Sequence, residues 1–218
     1  MLSYTEENYL KVLLQLTIET GSQEKAGTNE LAAHLGVKPA TATDMLKKLK
    51  AKKLIDYEKY GKISLTTEGR KSALEVLRKH RLWETFLYEK LEFTWDEVHE
   101  VAEQLEHINS QKLVDKLDKY LGYPEFDPHG DAIPDAKGEI KVQSKKTLSE
   151  AAVGSTCLMV AVKDNSAPFL QYVVKVGLGI NNHIKVLSKQ PYDAILEIEV
   201  NGKISTVSQK FAENIFIV

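Results

Sequence analysis

The sequence predicts a chain that is mainly α-helical and ends in a small β domain. Apolar residues recur at helical spacing through roughly the first 120 positions, whereas short runs of alternating apolar residues follow residue 148. Between these regions, residues 124–146 are rich in proline, glycine and charge, which is typical of a linker. We therefore expect three domains, at residues 1–72, 73–140 and 148–218.

Two helices are predicted first. Thr5 is a candidate N-cap for a helix that has acids in its first turn and ends near Gly21. Thr28 is expected to cap a second, short helix, which Gly36 ends because glycine interrupts helices.

A third helix is expected from Pro39 or Ala40 to about Lys52, since proline is favoured at the first helical position. Residues 54–66 then alternate polar and apolar side chains on either side of a Tyr60–Gly61–Lys62 turn, which predicts a two-stranded hairpin. Two helices joined by a turn and followed by a hairpin form a winged helix-turn-helix.

This part of the chain suits double-stranded DNA. From residue 38 to residue 62 it holds eight lysines and three acids, and lysines neutralise phosphates. In a winged helix the second helix of the turn enters the major groove, where small side chains and threonine methyls suit contact with thymine. A lysine-rich helix end alone is usually a solvated face, but its combination with turn and wing favours DNA binding. The candidate DNA-binding residues are Lys38, Pro39, Ala40, Thr41, Thr43, Asp44, Lys47, Lys48, Lys59 and Lys62.

The next helices carry acids and histidines. A long helix from Thr67 to about Glu89 places His80 and Glu84 one turn apart, a spacing that surface pairs also show. The following helix, expected from Trp95 to His107, has an apolar stripe and a neighbouring face of imidazoles and carboxylates. Such groups together suit a divalent first-row metal, and a solvated charged face is the alternative. The residues that share this face are His99, Glu103, Glu106 and His107.

Charge and apolar patterning extend this interpretation. Residues 84–135 contain fourteen acids and four lysines, which suits cations. Another amphipathic helix is expected from Ser110 to Tyr120. Trp83, Phe86 and Leu113 supply apolar surface for either a dimer interface or an internal core.

The C-terminal part predicts a small β-barrel of about 70 residues. Strands are expected within residues 155–162, 183–188, 194–200 and 204–208, with a tight Asn201–Gly202 turn and a helix near residues 168–176. Cys157 is expected to be a buried small hydrophobe, His129 a turn residue and His183 a surface residue.

No apolar run approaches the roughly 20 residues of a membrane span. The N-terminus has acids where a secretory signal needs bases. We therefore expect a soluble cytoplasmic protein with no membrane partner.

With these motifs in place, the chain resembles the diphtheria toxin repressor family of metal-dependent transcriptional regulators, including its manganese transport regulator branch. The similarity runs in one order along essentially the whole chain, through the motifs EENYLKVLLQL, TNELAAHLGVKPATATDMLKKL, RKHRLWETFL, VHEVAEQLEH and DPHGDAIP. The resemblance implies a winged-helix domain, a helical domain for metal binding and dimerisation, and a C-terminal SH3-like domain.

The resemblance also implies two metal sites per chain. The primary site resembles Asn8, Glu103, Glu106 and His107, and the ancillary site resembles His80, Glu84 and His99, with Asp164 as a candidate ligand from the C-terminal domain.

Three positions depart from relatives. Asn8 is a neutral donor where relatives place Asp or Met, and Lys11 stands where two-domain manganese regulators have a second acid. The separated two-site scheme therefore fits better than a binuclear one. Glu103 replaces the cysteine of iron-responsive relatives, so the oxygen and nitrogen donors favour Mn(II), with Fe(II) second.

The function that the resemblance implies is a homodimeric repressor of manganese or iron uptake genes, activated by metal, and not an enzyme. A metal-independent winged-helix regulator that responds to a small molecule is one alternative. A metallohydrolase using His99, Glu103 and His107 is a weaker one, because the sequence offers no separate base in a cleft.

Overall fold

The computed structural model describes residues 2–19, 26–57, 62–141 and 143–218. The chain folds into two compact units. Unit 1 comprises Met1–His80, Glu103–Lys116 and Pro134–Ile140, and unit 2 comprises Arg81–Ala102, Leu117–Ile133 and Lys141–Val218.

The structure confirms a mainly helical chain with a β domain at its C-terminal end. The helices are α1 (Tyr4–Glu19), α2 (Thr28–His34), α3 (Pro39–Ala51), α4 (Thr67–Leu91), α5 (Val98–Leu105), α6 (Gln111–Tyr120), α7 (Ala167–Val176) and α8 (Gln209–Ala212). The strands are β1 (Ala26–Gly27), β2 (Ile55–Tyr57), β3 (Lys62–Leu65), β4 (Lys146–Thr147), β5 (Thr156–Val162), β6 (His183–Lys189), β7 (Leu196–Val200), β8 (Lys203–Val207) and β9 (Ile215–Ile217).

Unit 1 contains the winged helix-turn-helix. Its core is built by leucines that recur at helical spacing on α1, α2 and α3, including Leu10, Leu14, Leu31, Leu46 and Leu49. Since these side chains fill one face of each helix, the opposite face of α3 stays exposed.

The caps of the first two helices differ from those predicted. Ser3, not Thr5, caps α1, because the backbone N–H of Glu6 donates to Ser3 Oγ at 3.3 Å and that of Ser3 donates to Glu6 Oε2 at 2.9 Å. Gly27 precedes α2, and its N–H donates to Glu30 Oε2 at 3.3 Å.

The wing has one strand more than the sequence indicated. β1 pairs with β3, so the sheet has the order β1-β3-β2, and Ala26 faces Ile63 across it. A strand of two residues is too short to show alternation. Lys59 and the turn residues Tyr60 and Gly61 lie outside the described residues.

Helix α5 is shorter than predicted. A turn closed by Thr94 and Glu97, in which the N–H of Thr94 donates to Glu97 Oε2 at 2.9 Å, delays its start to Val98. After Leu105 the chain leaves the helix, so Glu106 and His107 lie in a turn rather than on the helix face.

Unit 2 is organised around an antiparallel sheet of order β4-β9-β5-β6-β7-β8. Alternate residues such as Ile184, Val186 and Ile198 are fully buried beneath it. The turn at Asn201 and Gly202 has φ values of 52° and 77°, as the hairpin signal predicted. β4 and β9 were not predicted, because they are only two and three residues long.

The segment predicted as a linker folds into unit 2 from Pro124 to Ile133. His129 lies in a turn, as predicted, but its side chain is fully buried. Gly130 adopts a φ of 84°, and a Cβ atom there would lie 2.0 Å from the Val160 carbonyl oxygen. Glycine therefore lets this loop approach β5.

Two further predictions for unit 2 are confirmed, since Cys157 is buried and His183 is exposed.

Within the described ranges, none of the helices has the length and apolar character needed to cross a bilayer.

Candidate metal centre and DNA-binding face

Glu106 is the centre of a buried polar cluster in unit 1. Its carboxylate is fully buried, and Oε2 accepts a hydrogen bond from Lys11 Nζ at 2.8 Å. His80 Nδ1 lies 2.6 Å from the same oxygen. The other oxygen, Oε1, has no hydrogen-bond partner in the described structure, although His107 Nε2 is 3.7 Å away.

Helix α1 supplies the partners of this cluster. Lys11 Nζ also lies 2.6 Å from Glu103 Oε1, so one ammonium bridges two acids that come 92 and 95 residues later. His107 Nδ1 lies 2.6 Å from Glu7 Oε2. We call Glu7, Lys11, His80, Glu103, Glu106 and His107 the Glu106 cluster.

The donors in the Glu106 cluster fit a hard divalent cation. His80, Glu103 and Glu106 each offer a ligand atom, and these atoms lie within 4.8 Å of one another. Carboxylate oxygen and imidazole nitrogen are suitable ligands for Mn(II) and Fe(II). Glu106 Oε1 is buried and has no hydrogen-bond partner among the described residues, so a cation bound there would satisfy it. Asn8 Oδ1, on α1, is also buried without such a partner in the described structure.

Three residues predicted as primary-site ligands lie close together in unit 1. Glu103 and Glu106 both contact Lys11 of α1, and His107 contacts Glu7 and Tyr4 of the same helix. His80, expected in the ancillary site, contacts Glu106.

A second polar cluster lies in unit 2 and is centred on Glu84. Its Oε1 is 3.1 Å from His99 Nδ1, and its Oε2 is 3.7 Å from His129 Nδ1. Glu84, Asp127 and His129 are all buried and offer ligand atoms within 4.8 Å of one another. We call Glu84, His99, Asp127 and His129 the Glu84 cluster.

The orientation of His129 leaves one nitrogen for a cation. Its Nε2 lies 3.0 Å from the Trp95 carbonyl oxygen, which can only accept, so Nε2 carries a proton. The rings of Trp95 and His129 are stacked with centroids 5.8 Å apart, which fixes the imidazole plane. Nδ1 then faces Glu84 without a hydrogen-bond partner within the described residues.

Burial and nearby charges shift the pKa values of Asp127 and His129. Burial, followed by the nearby charges of Asp131 and Glu84, raises the pKa of Asp127 to about 7. Burial alone would lower the pKa of His129, but Glu84 and Asp127 outweigh it and raise that pKa to about 9. The cluster therefore favours positive charge, from a proton or from a metal ion.

Sequence reasoning missed Asp127 and His129 because they stand in a Pro- and Gly-rich segment. The available signal was an acid and a histidine two residues apart, immediately before Gly130. Asp164 was a candidate ligand, but its Oδ1 accepts a hydrogen bond from its own turn, from Ser166 N at 2.8 Å. It is not in a group of ligand residues within the described chain.

Most of the predicted DNA-binding residues that the structure describes are exposed in unit 1. Thr43 is half-buried, and its Oγ1 donates to the Pro39 carbonyl oxygen at 2.9 Å. Asp44 Oδ1 forms an ion pair with Lys47 Nζ at 2.9 Å, which reduces the net positive charge on this part of α3. The exposed members are Lys38, Pro39, Ala40, Thr41, Asp44, Lys47, Lys48 and Lys62.

Three family models match consecutive parts of the chain. Residues 1–63 match the iron dependent repressor N-terminal DNA binding domain, residues 66–135 the iron dependent repressor metal binding and dimerisation domain, and residues 146–218 the FeoA domain. The last match confirms the SH3-like domain that was expected for the six-stranded sheet.

Similar proteins extend over the same regions. Iron-dependent repressor IdeR of Mycobacterium leprae (strain TN) is 32% identical over 130 residues, which are 60% of this chain. The chain thus spans about half, 55%, of the length of that curated relative.

Solved structures match at full length. A manganese-dependent transcriptional repressor in complex with manganese has a TM-score of 0.86 and 33% identity, over 98% of this chain and 99% of that one. ScaR with bound Cd2+ has a TM-score of 0.77 and 36% identity, over 98% of each chain. The chain therefore belongs to the iron-dependent repressor family of metal-dependent transcriptional regulators, which is also called the diphtheria toxin repressor family.

Proposed function

We propose that this chain is a metal-activated, DNA-binding repressor of manganese or iron uptake genes that acts as a homodimer in the cytoplasm. The observation that carries the proposal is the Glu106 cluster, in which α1 of the winged helix meets Glu103, Glu106 and His107. DNA binding is assigned to residues 1–72, metal binding and dimerisation to residues 73–140, and an SH3-like domain to residues 148–218.

We assign two metal ions to each chain. One would be held by Glu103, Glu106 and His107, with Asn8 contributed by α1. The buried oxygens of Glu106 and Asn8 that lack hydrogen-bond partners in the described structure support this set.

The second ion is assigned to the Glu84 cluster. Glu84 would be the shared ligand, with Asp127 and His129 on one side and His99 on the other. His80 precedes Glu84 by one turn of α4 and was expected here, but its short contact with Glu106 favours the first ion. Asp164 remains a weaker candidate because its carboxylate caps its own turn.

Mn(II) is the preferred ion and Fe(II) the second choice. Neither cluster includes a thiolate, and oxygen and nitrogen donors suit harder ions. The relatives support both metals, since one is named an iron-dependent repressor and another a manganese-dependent repressor.

A divalent ion would supply the positive charge that holds the acids of unit 1 against α1. Carboxylates that are brought together without enough positive charge repel one another, so the arrangement competent for DNA is only partly populated. A coupling free energy of roughly 1–3 kcal/mol would tighten operator binding about 5- to 150-fold.

The homodimer would use apolar surface of unit 2. Tyr88 and Leu91 at the end of α4 and Tyr120 at the end of α6 are exposed, and Phe86 lies 6.2 Å from Tyr120 between ring centroids. A two-fold dimer would present two α3 helices to the two halves of a palindromic operator. Such a role needs no catalytic chemistry, so we do not propose an enzyme.

The test is operator affinity with and without metal. An operator is selected from random double-stranded DNA in the presence of Mn(II), and its dissociation constant is measured by fluorescence anisotropy with Mn(II) and with EDTA. We expect at least about fivefold tighter binding with Mn(II). Equal affinities in the two conditions would contradict the proposal.

One observation favours a metal-independent regulator as the second candidate. The Lys11 ammonium already joins α1 to Glu103 and Glu106. A regulator of that kind would bind the operator equally well after Glu103→Ala and His107→Ala, whereas the metal-activated repressor would lose its response to Mn(II).

A further inference from the structure

Lys11 supplies a buried ammonium group to the Glu106 cluster. Its side chain is 3% exposed, and its Nζ lies 2.6 Å from Glu103 Oε1 and 2.8 Å from Glu106 Oε2. Burying an ammonium is unfavourable unless it is paired, and here two carboxylates pair with it. The contacts are short enough to be charge-assisted hydrogen bonds.

The charged groups around Lys11 leave room for further positive charge. The cluster contains the carboxylates of Glu7, Glu103 and Glu106 and the imidazoles of His80 and His107, which contact the glutamates. Among the six residues of this cluster, three carboxylates face the single ammonium of Lys11, so carboxylates are in excess over ammonium groups. A divalent ion is attracted to this excess but meets an ammonium already on two of the oxygens it would use.

We propose that the Lys11 ammonium is a competitor for the metal, which must leave Glu103 and Glu106 when a divalent ion binds there. The inference rests on the proposed function, because it requires the Glu106 cluster to bind metal. Lys11 stays charged throughout, so the step is an exchange of one cation for another. The long, flexible lysine side chain permits it, since four rotatable bonds separate the ammonium from α1.

This exchange has two consequences. Without a metal, Lys11 offsets part of the negative charge of Glu103 and Glu106 and keeps both acids paired with α1. In the metal-bound protein, the cost of displacing Lys11 weakens apparent metal affinity. Lys11 is therefore a residue that sets the metal concentration at which the protein responds.

The decisive variant is Lys11→Met, which keeps the length of the side chain and removes the charge. We expect the Mn(II) dissociation constant of this site, measured by isothermal titration calorimetry, to fall by roughly tenfold or more. The metal-free thermal unfolding midpoint should fall at the same time, because Glu103 and Glu106 lose their counter-ion. Lys11→Gln provides the same measurement if Lys11→Met does not fold.

Lys52→Met is the matched control. Lys52 is also in unit 1 and pairs with an acid of α1, Glu6, at 2.7 Å, but it is not part of the Glu106 cluster. Lys52→Met removes the same charge as Lys11→Met, so any general effect of net charge on Mn(II) binding appears in both variants. We expect its Mn(II) affinity to stay within about twofold of the wild-type value, because charges outside a site are screened by salt.

A direct measurement uses the lysine ammonium signal. In protein with ¹⁵N-labelled lysine, the paired Nζ of Lys11 is observed by NMR and assigned by its loss in Lys11→Met. Cd(II), which is diamagnetic, replaces Mn(II) in this titration. We expect the signal to move to the range of exposed lysines as the first ion binds.

The outcomes separate this inference from the proposed function. If wild-type protein and Lys11→Met both fail to bind Mn(II), the proposed function fails and this inference with it. If wild-type protein binds Mn(II) but Lys11→Met binds it equally or more weakly, only the inference is overturned. An ammonium signal that Cd(II) leaves unchanged overturns it as well.

Discussion

The Nδ1 atom of His107 lies 2.6 Å from Oε2 of Glu7, which precedes it by 100 residues. The same imidazole stacks on the ring of Tyr4, with centroids 4.5 Å apart and planes 15° apart. Two residues of α1 therefore fix both the plane of the ring and the direction of its Nδ1 atom. The Nε2 atom of His107 faces Glu106, whose Oε1 lies 3.7 Å away.

Glu7→Gln should weaken Mn(II) binding at the Glu106 cluster by roughly 10- to 100-fold, because outer partners of a ligating histidine orient it and raise its basicity. Isothermal titration calorimetry of the metal-free protein measures this change. Glu6→Gln is the control, since Glu6 is the neighbouring acid of α1 and pairs with Lys52 instead. Equal Mn(II) affinities for the two variants would show that Glu7 does not orient His107.

Glu106→Gln should destabilise the metal-free protein by about 3–5 kcal/mol, because it removes one partner from a buried charge pair. The amide cannot neutralise Lys11, which is itself 3% exposed. Urea unfolding in EDTA gives the free energy of unfolding.

The control for Glu106→Gln is an exposed ion pair. Glu125 and Lys141 are both in unit 2, and their side chains are more than half exposed. Lys141 Nζ lies 2.5 Å from Glu125 Oε2. Glu125→Gln should therefore change the free energy of unfolding by no more than about 1 kcal/mol. A loss in Glu106→Gln as small as this would mean that the cluster does not hold a strongly coupled charge pair.

The winged helix could be predicted because its signals are local. Pro39 at a helix start, the leucine spacing of α3 and the alternation around residue 60 each follow from a few neighbouring positions. The clusters could be predicted only in part, since Glu103, Glu106 and His107 share a short stretch.

The remaining partners depend on tertiary contacts. Nothing in the residues around His129 shows that its loop is buried against β5 and faces Glu84. Likewise, whether Glu7 or Asn8 meets His107 depends on the rotation of α1 about its axis, which adjacent positions of one helix do not reveal.

The metal-free protein should lose stability as pH rises from about 6.5 to 9. The pKa of His129 is about 9 in the folded protein, above its ordinary value of 6.5, so its contribution is complete below pH 6.5 and disappears toward pH 9. The raised pKa of Asp127, about 7, acts in the same direction at lower pH, between about 4 and 7.

Urea unfolding in EDTA at several pH values measures this loss, which should be on the order of 2 kcal/mol across the His129 range. His129→Gln should flatten the profile above pH 6.5, because the group that titrates is gone. A wild-type profile that is already flat there would contradict the charge balance inferred for the Glu84 cluster.

Lys47 and Lys48 provide the test of the DNA-binding face, since both are exposed on α3. Lys47→Gln and Lys48→Gln should each weaken operator binding at physiological salt. Each should also reduce the slope of log affinity against log salt by about 1, because one phosphate contact releases about one counter-ion. Lys203→Gln, at an exposed position of β8 in unit 2, should leave both quantities unchanged. If all three variants have the same salt slope, the phosphate contacts must be made by another surface.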